Sequence, residues 1–237
     1  MVFAALVAAP LHAQTDEGDI NFDPTITDEE FGEFSRIVGQ AIYATPVEPA
    51  RATGLLGFDI GIAVTGVEVD TDSPFWQAAV DNDVTIDNYL AVPRLVVSKG
   101  LGAATISGTY ARIPDLELEL WGGSLDVPII NGGLVKPTLA LRGSYSTLQG
   151  TDVFECKTYG VEAFLSKGFG PVTPYAAVGR MRVDSEGEIP DVRTLSDQSD
   201  INRYTVGVRL SFLIPKFVVE ATQAEERSYS AKVSFGW

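Results

Sequence analysis

Histidine is almost missing from this chain: one residue, His12, among 237. Ser-His-Asp, Cys-His and His-metal chemistries therefore lack their central group. Cysteine is as scarce, and Cys156 alone cannot close an internal disulfide or build a Cys/His zinc site. Basic residues are few, 17 Lys and Arg against 32 Asp and Glu, for a formal net charge of −15. Nucleic acid and anionic membrane surfaces, which need clustered cations, are disfavoured partners. No uninterrupted apolar run approaches the roughly 18 residues of a membrane-spanning helix. What is present is ample apolar material, 45% of residues with 21% charged, so the chain is not intrinsically disordered. Its length suits one domain with a small appendage.

The N-terminal stretch reads in two parts. Val2 to Leu11 is a short apolar run, followed by small residues at Ala13 and then acidic Asp16, Glu17 and Asp19. This is the pattern of a secretory signal peptide over residues 1–13. In the segment 14–50, Thr27-Asp28-Glu29-Glu30 matches a capping box and predicts a helix over about 27–43. Phe31, Phe34, Val38 and Ala41 fall on one face, and Thr45-Pro46 and Pro49 end the element. The helix is expected as a lumen plug or a periplasmic cap; its Phe-rich face favours the rim over a charged interior.

From about Gly54 the period changes from 3.6 to 2. Ten candidate strands follow, at 55–69, 89–98, 103–112, 116–125, 134–146, 156–167, 171–184, 201–213, 217–225 and 227–237. Most are about 10 residues long, enough for a tilted strand to cross a bilayer. Brief turns alternate with longer polar loops at 70–88, 147–155 and 184–200, although Ile113-Pro114-Asp115 is short and 126–133 long for that alternation. In the eighth strand Tyr204, Val206, Val208, Leu210 and Phe212 share one face, opposite Thr205, Gly207, Arg209 and Ser211. Tyr159, Val161, Ala163 and Leu165 repeat the pattern. Aromatics also sort by level: Tyr89, Tyr110, Tyr145, Tyr159, Tyr204 and Tyr229 towards the longer loops, and Phe58, Tyr175, Phe212, Phe217, Phe235 and Trp237 towards the turns. Two aromatic girdles are what a transmembrane barrel carries.

The chain ends Tyr229-Ser-Ala231-Lys-Val233-Ser-Phe235-Gly-Trp237. This terminus resembles that of bacterial outer-membrane β-barrel proteins, which finish on an aromatic residue and alternating hydrophobics. The resemblance implies that Tyr229, Val233, Phe235 and Trp237 form the signal read by the barrel assembly machinery. It extends over 51–237 through the strand pattern and picks out no subfamily. Gly54-Leu-Leu-Gly57-Phe58-Asp59-Ile-Gly61, behind a short helix, also looks like the start of fatty-acid-transporter-type barrels, in which an N-terminal segment plugs the lumen. The expected protein is thus an all-β antiparallel transmembrane barrel of about ten strands, with eight or twelve as alternatives, in the bacterial outer membrane.

Strand parity places Asp59, Glu68, Glu117, Glu119, Glu162 and Glu220 in the lumen, facing Arg94, Arg142, Arg180, Arg182, Arg209 and Lys232. A narrow barrel favours packed, salt-bridged pairs over a basic track along Arg180, Arg182 and Arg209. Enzymes of the class resemble one another in using histidine, so no catalytic residue is assigned. Asp81, Asp83, Thr85 and Asp87 alternate oxygens, but Ile86 and Val92 stand where a calcium loop needs Gly and Glu. No metal site or cofactor is expected. Phe75 and Trp76 in the same loop either meet an apolar ligand or lipopolysaccharide, or fold the loop over the barrel mouth. Cys156 is expected as filler. The functional expectation is a small channel or carrier for solutes, hydrophobic ones included, with a closed structural or surface-interaction barrel as the alternative. The expected partners are the bilayer, lipopolysaccharide, the assembly machinery and a small-molecule solute, with no nucleic acid.

Overall fold

A computed structural model describes residue 20 and residues 22–79, 88–113, 118–133, 135–149, 153–212 and 214–237. The expected signal peptide, Asp81 to Asp87 and Glu117 lie outside the described residues. The chain enters through helix α1 (Asp28–Ile42), then forms β1 (Phe58–Glu68), a single turn α2 (Pro74–Gln77), β2 (Tyr89–Gly100), β3 (Thr105–Ile113), β4 (Leu118–Ile130) and β5 (Thr138–Gln149). It continues with β6 (Phe154–Ser166), β7 (Val172–Ile189), β8 (Arg193–Ser211), β9 (Pro215–Gln223) and β10 (Arg227–Gly236). Each strand pairs antiparallel with its neighbours in sequence, and β10 closes onto β1, leaving no free edge. The closure ends in mutual backbone bonds, Trp237 N–H to Phe58 O at 3.0 Å and Phe58 N–H to Trp237 O at 3.1 Å. A bilayer offers backbone groups no water, so only a closed sheet can stand in it.

Several strands outrun the sequence expectation, β7 and β8 the most. The loop expected at 184–200 is instead the far half of a hairpin, because β7 and β8 stay paired from Val172↔Leu210 to Ile189↔Arg193. Alternation persists through it: Val183, Ser185, Ile189 and Leu195 are buried on the inner face, where α1 gives them a partner. The expected long turn at 126–133 shortens similarly, since β4 runs on to Ile130 past an irregularity between Pro128 and Ile130.

The outward positions form an apolar band. Ile62, Val161, Val178, Val206 and Val219 are exposed although large and hydrophobic. Tyr89 meets Tyr229 with ring centroids 6.4 Å apart, Tyr110 meets Trp121 at 4.6 Å and Tyr145 meets Tyr159 at 5.2 Å, all towards the end that carries the 69–88 connection. Phe58 with Trp237, and Phe212 with Phe217, mark the opposite level. Tyr175 does not belong to that lower girdle: it points inward and is buried. The long 69–88 connection and the extended β7–β8 hairpin stand at one end of the barrel, and that end faces outward.

The sequence sets the start of α1. The Thr27 hydroxyl accepts from Glu30 N–H at 3.2 Å, and the Glu30 carboxylate accepts from Thr27 N–H at 2.8 Å. The backbone N–H and then the hydroxyl of Thr27 hold the Glu30 carboxyl below its ordinary range. A lowered carboxyl pKa stabilises the fold at pH above the unfolded value near 4.3, and that contribution is lost as pH falls through the folded value. Amide hydrogen exchange, corrected for intrinsic rate, is expected to quicken at residues 28–31 on going from pH 6 to pH 3, and Glu30→Gln is expected to remove that pH dependence.

Candidate functional site

The lumen is occupied by the chain's own N-terminal segment. At the outer end α1 lies inside the barrel, against β8 most extensively and against β1, β2, β5, β6 and β7. Phe31, Phe34, Ile37, Val38, Ala41 and Ile42 are buried there among Val67, Met181, Val183, Ile189, Leu195 and Ile201 of the wall. Phe22, Phe31, Phe34 and Phe154 stack edge to face, with Phe22–Phe31 at 5.3 Å and Phe34–Phe154 at 5.4 Å. Trp76 approaches Phe34 at 6.0 Å, so the first outer loop folds over the mouth. Cys156 fills space in the same cluster. The helix therefore sits in the lumen and not on the rim. The buried charges expected from sequence lie lower in the barrel, and the wall around α1 is mostly apolar, with Arg36 reaching Glu225 at 2.7 Å on one side.

Glycines make room for the segment. A Cβ on Gly39 would stand 2.6 Å from Val183, one on Gly187 2.5 Å from Phe31, one on Gly122 2.2 Å from Ala44 and one on Gly160 1.9 Å from the Tyr43 hydroxyl. The segment and its wall are shaped to each other. Val47, buried at the centre, is held at φ 49°, a left-handed conformation that a β-branched residue adopts only when its surroundings impose it.

Below α1 the contacts become ionic. The helix has no basic residue in its last turn. Arg94 of β2 supplies one from the wall, donating from Nη2 to Ala41 O and from Nη1 to Tyr43 O, both at 2.9 Å. Arg142 is fixed by Asp126 at 2.6 Å and donates to Glu48 O at 3.0 Å, with its guanidinium 4.5 Å over the Phe164 ring. Lys232 donates to Pro46 O at 3.0 Å and lies 3.2 Å from Asp59 and 3.7 Å from Glu48. Arg203 pairs with Glu162 at 3.4 Å and covers the Tyr43 ring at 4.4 Å, while the Tyr43 hydroxyl donates to Glu162 at 3.3 Å. Tyr175 donates to Glu220 at 2.5 Å, and Lys216 meets Asp59 at 2.7 Å. Three wall cations thus bind backbone carbonyls at the end of α1 and in the irregular chain that follows it.

Of the residues expected in the lumen, Arg94, Arg142, Glu162, Arg209, Glu220, Lys232 and Asp59 point inward. Arg180 and Arg182 do not. Gly179 abuts Glu162 inside the lumen, and Met181 and Val183 are buried, so the alternation turns both arginines outward. Their side chains are 66% and 50% exposed and share Asp200 at 3.1 and 2.9 Å. The basic track through Arg180, Arg182 and Arg209 is therefore absent. Glu68 and Glu119 also face outward, accepting hydrogen bonds from Tyr89 and from Trp121. Sequence reading missed Tyr43, Glu48, Asp126, Arg203 and Lys216. Stepping by two from Arg209 along its own face would have found Arg203; Asp126 and Lys216 fell beyond the expected strand ends.

No family model matches the chain, and no curated protein does. Solved structures similar to it are bacterial surface barrels. The N-terminal β-barrel domain of Pseudomonas aeruginosa OprF is 13% identical, over 76% of this chain and 97% of that one, with a TM-score of 0.36. Neisserial surface protein A is 12% identical over 75% and 96%, with a TM-score of 0.35. Ail of Yersinia pestis, in complex with a heparin analogue, is 12% identical over 76% and 95%, with a TM-score of 0.29. The closed ten-stranded barrel, its apolar outer band and its two aromatic levels place the protein in the bacterial outer membrane.

The Arg142–Asp126 pair offers a direct test of the ionic layer. Arg142→Met leaves Asp126 buried without its cation and is expected to cost about 3–5 kcal/mol. Arg142→Met with Asp126→Leu is expected to recover most of that loss. The measurement is the temperature at which unboiled protein stops migrating as the compact form on a gel.

Proposed function

We propose that the protein is a closed outer-membrane barrel, sealed by its own N-terminal segment and built to present its outer end to a partner. The observation that supports this reading is the burial of α1 within the wall. Withdrawing Phe31, Phe34, Ile37 and Ile42 alone would forfeit roughly 6–12 kcal/mol of apolar burial. Spontaneous opening would then populate fewer than about one molecule in 10⁴. The outer end offers the β7–β8 hairpin, the exposed start of α1 and an acidic surface that includes Asp28, Glu29, Glu186 and Glu188. We assign the barrel no reaction: the buried carboxylates Glu162 and Glu220 are engaged by Arg203, Tyr43 and Tyr175. The outward side chains of Tyr229, Val233, Phe235 and Trp237 suit recognition by the assembly machinery.

A second reading, a channel or carrier for small solutes, rests on the polar wall behind the segment, where Arg94, Arg142, Arg203 and Lys232 would line a vacated lumen. It requires an external agent to displace the segment. Conductance of the refolded full chain in a planar bilayer separates the two. The closed barrel is expected to be silent over a range of voltages, with steps only when residues 14–50 are removed; steps from the full chain would overturn it in favour of a channel.

A further inference from the structure

The outward face of β7 changes character abruptly. From the periplasmic end it reads Pro174, Ala176, Val178, then Arg180 and Arg182, then Asp184 and Glu186. The two arginines are the first charges above the apolar band. Arg182 lies in register with Tyr159 of the outer tyrosine girdle, and Arg180 with Val161, one step below it at the upper edge of the apolar band. Beside them a shallow, open groove crosses the external wall. Gly123 and Gly143 form its floor, and a Cβ at Gly143 would meet nothing within 4 Å. Leu125, Val161, Tyr145 and Tyr159 flank it. In a bilayer this groove is covered by lipid.

We infer that this groove binds one phosphorylated lipid of the outer leaflet, its acyl chain along Gly123 and Gly143 and its phosphate on Arg180 and Arg182. The groove's lining balances Arg180 and Arg182 against Asp184 and Asp200, so what it offers a phosphate is oriented N–H donors and not net charge. Two guanidinium groups carry ten N–H donors between them. Asp200 orients both and takes one from Arg180 and two from Arg182, leaving others directed at solvent. Planar guanidinium forks suit phosphate oxygens, and a charge at this level is tolerated where one at the bilayer midplane is not. Asp184 and Gln198 close the groove on its aqueous side. The inference rests on the outer-membrane location and is independent of whether the lumen opens.

The test is native mass spectrometry of the full chain released from mild detergent, offered bis-phosphorylated lipid A, its dephosphorylated form or phosphatidylcholine. One bis-phosphorylated lipid per barrel is expected, at about tenfold greater retention than the other two. Arg180→Gln with Arg182→Gln is expected to abolish that preference. Arg112→Gln, which removes another exposed arginine paired with Glu119, is expected to keep it. Millimolar inorganic phosphate is expected not to displace the lipid. Equal retention of the phosphorylated and dephosphorylated lipids by the unmodified chain would overturn the inference, whatever the variants do. So would undiminished preference in the double variant, or displacement by inorganic phosphate, which would mark a site for free anions.

Discussion

Ten strands enclose more space than inward side chains can fill. Eight-stranded barrels are just wide enough for their side chains to pack across the middle; two further strands leave a gap along the axis. In a membrane protein that gap must hold water or something that replaces it. Here the N-terminal segment replaces it, and most features of the interior follow from that single requirement. The segment consists of a helix followed by an irregular strand of chain, so its upper half is internally satisfied and its lower half is not. The wall answers each half in kind, with apolar residues around α1 and cations around the carbonyls of Ala41, Tyr43, Pro46 and Glu48.

The ionic layer serves fit more than net stability. Removing two charges from water costs several kcal/mol for each ion, which their attraction in a dry interior barely returns. What the arrangement does return is register. Arg142 can reach Glu48 O only while Asp126 fixes its other edge, and Lys232 meets Asp59, Glu48 and Pro46 O together only when the segment is at one height. The glycines at 122 and 160 set the same height sterically, because Ala44 and Tyr43 occupy the volume their side chains would take. A segment displaced by one residue would lose both sets of contacts at once. The threading also gives the chain an unusual course: α1 lies at the outer end, the chain descends through the lumen, and β1 climbs back along the wall.

The barrel was legible because its signal is local. Alternation in β8 and β10, the girdle tyrosines and the closing Phe235 and Trp237 each need only one strand to be visible, and each matches the structure. Charges inside were legible to the extent that parity could be carried along a strand, as for Arg94, Arg142 and Lys232. Parity failed in β7. There Arg180 and Arg182 read as lumen residues because Tyr175 was read as an outward girdle residue, whereas Tyr175, Gly179 and Met181 hold the inner face. The segment's place in the lumen was not legible, since it depends on contacts between residues far apart in sequence: Arg94 with Ala41, Lys232 with Pro46, Phe154 with Phe34. A Phe-rich helix face gives no sign of which apolar surface it will meet.

The account stands on the segment passing through the barrel from the outer end to the periplasmic end, and labelling with a membrane-impermeant maleimide on intact cells tests that course directly. Cys156 is fully buried and provides little background. Single cysteines at Val192 in the β7–β8 turn, at Glu29 in the first turn of α1 and at Leu56 before β1 report the three positions. Val192→Cys and Glu29→Cys are expected to react together from outside, and Leu56→Cys only after the outer membrane is permeabilised. Reaction of Glu29→Cys only after permeabilisation would put the helix at the periplasmic end and contradict the account.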